Sequence, residues 1–324
     1  MDEFARIEKL FAPLTRKASG ADFLRNDAAC LPELEMGWSW VVTSDALVEG
    51  VHFLPETSPD LIARKALRTN LSDLAAMGSR PRAYTLSLAL RSDLPEPQSW
   101  IEGFCRGLER DQEQFSVSLI GGDSVSTAGP IWLSITAFGA VETGRELKRS
   151  GAELGDSVWV SGTIGDSALG LKAYRGEIED PSGHLKARYD LPNPRTELGP
   201  RLVGIATAAL DVSDGLVQDA GHIARQSSLA LELRLKDIPL SPAAHSVVEQ
   251  DEAHLMRAIT GGDDYELLFT APSEADERLR SLSSELGLPL TRIGEVKQGS
   301  GVTLLDRKGQ RVEGVGNTGW RHFD

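Results

Sequence analysis

Short acidic segments stand where buried-looking runs of this chain end. They are Arg25-Asn26-Asp27, Thr43-Ser44-Asp45, Asn70 with Asp73, Gly121-Gly122-Asp123, Asp211 with Ser213 and Asp214, and Gly261-Gly262-Asp263-Asp264. The donors they offer are mainly carboxylate, hydroxyl and amide oxygens. Hard oxygens suit Mg²⁺, which takes a few carboxylates and completes its shell with water and phosphate oxygens. Glycine beside the acids permits tight turns and close approach of backbone to a ligand. Jointly the segments fit a multi-metal phosphate site.

Each segment also has a plainer reading. An Asp or Ser ahead of a helix commonly caps it, which covers Ser213 and Asp214. Asp211 is harder to explain away, because it ends an apolar strand where a buried charge is costly unless paired or metal-bound. Asp73 lies in a helical pattern among Leu71, Leu74, Ala75 and Met77. It is either part of an exposed face or, with Asn70 at i, i+3, half of a cation site. His52, in "EGVHF", is either a hydrogen-bonded structural histidine or a functional one. A Gly-Gly-Asp alone is only a turn signal.

Other phosphate and catalytic signatures are missing. There is no Walker sequence and no kinase H-R-D or D-F-G. "SGTIGDSALG" (161–170) has the outline of a phosphate cradle but lacks the lysine, and reads as a structural turn. No zinc-type spacing or Ser-His-Asp order stands out.

The elements that must position these residues follow from periodicity. Residues 3–14 suit a short amphipathic helix and 38–45 a strand. Residues 60–78 suit a helix, with Asp60 as N-cap and Gly78 as stop. Strands at 83–90, around 117–123 and at 131–141 surround a helix at 97–115. The polar, Gly-bearing stretch 142–156 marks a boundary, and the strand–helix character then restarts. The second half reads as a strand at 157–162, a helix at 165–174, a Pro-bearing loop over 176–194, a helix at 195–208 and a strand at 209–212. A helix at 215–227, strands at 229–235 and 265–272, and a helix at 273–287 opened by a Ser-x-x-Asp capping pattern complete it. The expectation is an α/β protein of two domains, 1–150 and 151–324.

Composition bounds the partners. Among 324 residues there are 34 Lys and Arg against 48 Asp and Glu, a formal charge of −14. That argues against a nucleic-acid footprint. If the ligand is anionic, cations must bridge it to the protein. Cys30 and Cys105 are too few for a disulfide scaffold and read as buried thiols. No apolar run approaches the ~18 residues of a membrane span. The opening "MDEFARIEKLFAPL" lacks a signal-peptide pattern, so a cytoplasmic protein without membrane partners is expected.

"TSDALVEGVHF", "NLSDLAAMG", "LIGGDSV", "LKRSGAELGD", "DVSDGLVQDAGHI" and "GGDDYELLFT" resemble the thiamine-monophosphate kinase family. They occur in that family's order from about residue 20 to the C-terminus. The resemblance implies Mg-dependent transfer of the ATP γ-phosphoryl group to thiamine monophosphate, directly and in line, giving thiamine diphosphate and ADP. It also implies the two-domain α/β fold of the aminoimidazole-ribonucleotide-synthetase-like (PurM-like) superfamily, with the N-terminal sheet pairing across a homodimer. By the same resemblance, Asp27, Thr43, Ser44, Asp45, Asp73, Asp123, Asp211 and Asp214 hold several Mg²⁺ ions. Catalysis depends most on Asp45, Asp73 and Asp211. Gly122, Asp123, Arg149 and Ser213 meet ATP as co-substrate, and His52, Asp263 and Trp320 meet the thiamine substrate.

The family's Gly-Asp-Asp reads Arg25-Asn26-Asp27 here, and its GGEDYE reads GGDDYE. Rival readings within the superfamily are aminoimidazole ribonucleotide synthetase, selenide water dikinase and the hydrogenase-maturation dehydratase. The selenium enzyme needs a reactive Cys or selenocysteine near its N-terminus, and the first Cys here is Cys30, after Asp27; the dehydratase ends in Cys, and this chain ends "WRHFD". A nucleotide-binding regulator without activity is the rival from another class, and the near-complete acid set speaks against it.

Overall fold

The computed structural model describes residues 7–18, 21, 24, 31 and 33–312. Asp27, Cys30 and Trp320 therefore lie outside the described residues. The chain divides into two compact units, Met1–Leu74 with Ser79–Gly144, and Ala75–Gly78 with Arg145–Asp324.

The first unit is built on a four-stranded sheet in the order β1-β4-β2-β3. Its strands are β1 (Trp38–Val48), β2 (Arg80–Arg91), β3 (Ser118–Thr127) and β4 (Trp132–Glu142). β2 and β3 are parallel, joined through helix α2 (Pro97–Phe115), and the other pairs are antiparallel. β4 shows why only one face is covered. Leu133, Ile135 and Ala137 are fully buried, and Ser134 and Thr136 alternate with them on the outer face. The inner residues pack with Leu86 and Leu88 of β2, Leu67 and Leu71 of α1 (Pro59–Ala76), and Ile101, Phe104 and Leu108 of α2. A buried ion-pair knot ties the helices: Asp111 of α2 accepts from Arg68 Nε at 2.6 Å and Arg64 Nε at 2.9 Å. It fixes the helix that carries Asn70 and Asp73.

The second unit holds a six-stranded sheet in the order β10-β7-β9-β5-β8-β6. The strands are β5 (Ser157–Ser161), β6 (Ala208–Asp211), β7 (Ala230–Arg234), β8 (Leu267–Ala271), β9 (Leu290–Lys297) and β10 (Gly301–Leu305). β10 pairs parallel with β7, and the remaining pairs are antiparallel. Helices α3 (Asp166–Tyr174), α4 (His184–Asp190), α5 (Leu198–Leu202), α6 (Leu216–Ser227), α7 (Pro242–Gln250), α8 (Ala253–Thr260) and α9 (Asp276–Leu286) complete it. Every residue of β5 and β8 is buried. One face carries Val158, Val160 and Leu268 against Ile223 of α6, and the other carries Trp159, Leu267 and Phe269 against Leu279 and Leu282 of α9. That double coverage explains the unbroken apolar runs "VWV" and "LLF".

Several expected elements differ. Residues 7–15 form a π turn and a 3-10 turn rather than one helix. α1 starts at Pro59, so Asp60 sits inside the first turn, where its Oδ1 accepts from Ser58 Oγ at 2.8 Å. Gly78 stops the segment at φ +69°, as expected. The expected helix at 195–208 is only α5, because Val203 leaves helical geometry and Gly204 turns at φ +77°. The expected loop 176–194 contains α4, started by Gly183 at φ +69°. Ser273 opens a 3-10 turn rather than capping α9, and its hydroxyl points to Glu274.

Candidate active site

In the first unit, strand alternation selects which hydroxyls meet the acids. Thr43 and Asp45 pair with Ala137 and Ile135, both fully buried, so they face the helix-covered side. Thr43 Oγ1 donates to Asp73 Oδ2 at 2.5 Å. Asn70 Nδ2 donates to Ala66 O at 3.0 Å, which turns its Oδ1 to accept the Asp45 N–H at 3.1 Å. Burial raises the Asp45 pKa, with the Thr69 hydroxyl acting in the opposite direction. Thr43, Asp45, Asn70 and Asp73 thus form one cluster on the helix-covered face, which Asp45 joins through its backbone N–H.

Ser44 does not join it. Its hydroxyl lies on the exposed outer face, 3.0 Å from Thr136 Oγ1. Asp123 is also apart. Asp45, Ile135, Leu86 and Gly122 stand level across the sheet, on edge strand β1, then β4, β2 and edge strand β3. Three strand spacings make roughly 14 Å between the edges. Asp123 is exposed, and its Oδ1 accepts the Ser124 N–H at 2.8 Å. Gly122 is required sterically, because a Cβ there would stand 2.0 Å from Leu86 O. His52 Nδ1 accepts the Val48 N–H at 3.1 Å, so that ring nitrogen holds the turn after β1.

In the second unit, two motif segments form one backbone zipper. Val212 N–H donates to Glu266 O, Tyr265 N–H to Val212 O and Asp263 N–H to Ser213 O, each at 2.8 Å. A Cβ on Gly262 would lie 2.3 Å from Ser213 O, so the approach demands glycine. Asp263 and Tyr265 both adopt left-handed backbone, at φ +67° and +53°. The Tyr265 hydroxyl donates to Asp263 Oδ1 at 3.0 Å. Beneath them Asp264 is buried and both its oxygens accept the Gly165 N–H, at 3.0 and 2.9 Å. Burial holds its pKa well above the carboxylate range. That contact occupies the amide at the start of α3, in keeping with a structural turn at 161–170.

Asp211 is the buried last residue of β6. Asp214 Oδ2 accepts from Gln218 Nε2 at 2.9 Å. Asp219, one turn into α6, accepts the N–H groups of Ser213 and Asp214 on one oxygen, at 3.1 and 3.0 Å. Burial, and then the nearby Asp214 charge, push the Asp219 pKa up to about 7, against a lowering by the Asp214 and Ser213 amide hydrogen bonds and then by Arg149. Burial, and then Arg149 and Arg225, lower that of His222. Asp214, Asp219 and His222 offer ligand atoms within 4.8 Å of one another. Arg149, through its effect on Asp219 and His222, belongs electrostatically with this set.

Sequence reasoning missed Asp219, His222, Glu266, Arg188 and Arg195. The signal for Asp219 lay in its place on the buried stripe with Leu216, Ala220 and Ile223. A carboxylate on an apolar stripe needs a partner.

Residues 25–141 match the AIR synthase related protein, N-terminal domain, and residues 153–307 the corresponding C-terminal domain. A thiamine-monophosphate kinase of Caulobacter vibrioides is 41% identical over 323 residues, covering 99% of this chain and 90% of that protein. One from Haemophilus influenzae is 36% identical, covering 100% and 98%. The crystal structure of thiamine-monophosphate kinase from Stenotrophomonas maltophilia superposes with a TM-score of 0.84 at 39% identity, over 96% of this chain and 98% of that one. AaThiL complexed with AMPPCP and TMP superposes at 0.78 and 34% identity, over 99% and 97%. HypE structures at 18–21% identity share the fold.

The fold and its two motif sets define an AIR synthase related protein of two α/β domains. Within that class, whole-length identity is decisive: the chain belongs to the thiamine-monophosphate kinase family.

Proposed function

We propose that this protein phosphorylates thiamine monophosphate with ATP. A terminal oxygen of the substrate phosphate attacks the γ-phosphorus, and the bond from that phosphorus to the β–γ bridging oxygen breaks. Thiamine diphosphate and ADP result, with no phospho-enzyme. The observation that carries this reading is the cluster of Thr43, Asp45, Asn70 and Asp73, found in a chain 41% identical to a kinase of this substrate.

The donor chemistry of that cluster fits Mg²⁺: carboxylate, hydroxyl and amide oxygens, with no thiolate or imidazole. Asp45 and Asp73 would hold the ion, assisted by Thr43, with Asp211 and Asp214 as the acids of the second unit. When bound, Mg²⁺ neutralises the charge of the transferring phosphoryl group. Family resemblance adds Asp27 and Asp123 as further ligands, Gly122, Arg149 and Ser213 as nucleotide contacts, and His52, Asp263 and Trp320 at the thiamine substrate. Asp263 is suited to this, because its left-handed backbone is fixed by the zipper and its carboxylate complements a cationic ring. Ser44 is the member that the arrangement supports least.

We assign residues 1–150 to ATP and Mg²⁺ binding and dimerisation, and residues 151–324 to completing the metal, ATP and substrate site. Val42, Val125 and Trp132 are exposed on the first unit's sheet, which supports a homodimer formed there. Among the described residues no helix is long and apolar enough to cross a membrane; we place the protein in the cytoplasm.

Incubating purified protein with Mg-ATP and thiamine monophosphate tests the reading directly. Thiamine diphosphate and ADP should appear in equal amounts. Their absence, with turnover of another superfamily substrate, would move the protein to that branch.

A further inference from the structure

We propose that Asp219 is the positioning residue of the Ser213–Asp214 loop, acting as a hydrogen-bond acceptor for the backbone and not as a metal ligand. The proposal rests on the kinase reading, in which Ser213 meets ATP and Asp214 meets Mg²⁺.

The loop must hold two working side chains without a side-chain cap on the helix that follows. Gly215 precedes α6 at φ +113° and can offer none. The zipper to residues 263–266 engages both backbone groups of Val212 and the carbonyl of Ser213. The N–H groups of Ser213 and Asp214 are left over, and Asp219 Oδ2 takes both. The loop is therefore held by its carbonyls from one side and by its amides from the other. Asp219 is only 4% exposed, so truncation would leave two amides unpaired next to a buried surface.

The competing role is suggested by the proximity of Asp214, Asp219 and His222. Some of those ligand atoms are already engaged: Asp219 Oδ2 takes both amides, and His222 Nδ1 accepts from Arg225 Nη2 at 2.7 Å. A backbone acceptor and a metal ligand respond differently to one change. Asp219→Asn keeps a carbonyl oxygen for both amides and removes the negative charge a metal would need.

Asp219→Asn and Asp219→Ala are compared with wild type for kcat, for both KM values, for Mg²⁺ requirement and for melting temperature. Asp219→Asn should keep kcat, the KM for ATP and the Mg²⁺ requirement within about threefold. Asp219→Ala should raise the KM for ATP by about tenfold or more and change that for thiamine monophosphate by less than about threefold, since Asp263 keeps its own backbone bond. Equal losses in both variants, or an unchanged KM for ATP in the Ala variant, would overturn the proposal. If Asp219→Ala does not fold, Asp219→Asn alone decides: retained ATP affinity and Mg²⁺ response support it, and a loss of about tenfold overturns it. If the wild-type protein does not phosphorylate thiamine monophosphate, the kinase reading fails by itself. Amide hydrogen exchange at Ser213 and Asp214 then decides the loop. It should be near wild type in Asp219→Asn, and matching acceleration in both variants would overturn the assignment.

Discussion

Glu266 and Arg195 form a two-pronged ion pair around a carboxylate that has no solvent exposure. Arg188 joins them at 3.2 Å and also reaches Asp264 O, and Ser161 Oγ donates to Glu266 at 2.6 Å. The knot touches the Asp263–Tyr265 segment at Asp264 O and joins it to α4, to β5 and to Arg195 in the segment ahead of α5. It makes one buried acid the anchor of a strained loop.

Removing one partner should therefore be expensive, because two guanidinium groups would lose their counter-charge. Glu266→Ala should lose about 3–5 kcal/mol of unfolding free energy. Glu266→Gln keeps the shape and two hydrogen-bonding atoms and should lose less. Urea unfolding of the three proteins measures this. A loss below about 1 kcal/mol in the Ala variant would show that the loop stands without its anchor.

Asp219 gives a pH-dependent prediction. Its pKa is raised from 3.8 to about 7 in the folded protein, so the folded state holds the proton more tightly than the unfolded chain. Stability falls with pH where the unfolded state binds fewer protons. The contribution of Asp219 is therefore favourable below its unfolded value and is lost as pH rises through about 7. Asn has no such dependence. In metal-free buffer, the melting temperature of Asp219→Asn should gain on wild type between about pH 5 and about pH 8. A difference that stays constant over that range would contradict the assigned burial cost.

Much of the fold was readable because its core runs are long and periodic. β1, α2 and α6 appear within a residue or a few of where alternation or 3.6-residue spacing puts them. The helix within 176–194 was hidden for a tertiary reason. α4 lies in a polar, Pro-bearing stretch, and what stabilises it is tertiary: Leu185 and Tyr189 are buried beside α3. The site divides in the same way. Acids at strand ends are visible in sequence, but strand register alone decides that Thr43 faces Asp73 while Ser44 faces away. Glu266 escaped because a buried charge is recognised by its partners, and Ser161 lies 105 residues away in sequence; the partners of Asp219 are only five and six residues away, and its signal was a carboxylate on a buried helical stripe.

The sheet face of the first unit leads to an assembly prediction. Val42 is 56% and Trp132 38% exposed, among the Ser and Thr residues of β1 and β4. Apolar side chains in that setting suit a covered surface. Light scattering at micromolar concentration should report a dimer, and Val42→Asp should shift it toward monomer. A wild-type monomer at that concentration would remove the sheet from consideration as an interface.

The sharpest test of the first unit's cluster compares neighbours on one strand. Asp45 and Thr43 face Asn70 and Asp73, whereas Ser44 faces the opposite side. If Asp45 holds a cation that stabilises transition-state charge, Asp45→Asn should lower kcat by on the order of 10²-fold or more, and Asp211→Asn should do the same from the second unit. Thr43→Val keeps the shape and deletes the hydroxyl on Asp73, so it should cost about tenfold. Ser44→Ala should stay within about threefold of wild type, because its hydroxyl meets only the outer face of the sheet. Initial rates of ADP release at saturating Mg²⁺, with melting temperatures for each variant, provide the readout. A Ser44→Ala loss as large as that of Asp45→Asn in folded protein would mean that strand direction does not select the ligands. Near-normal turnover in both Asp→Asn variants would remove the metal cluster itself.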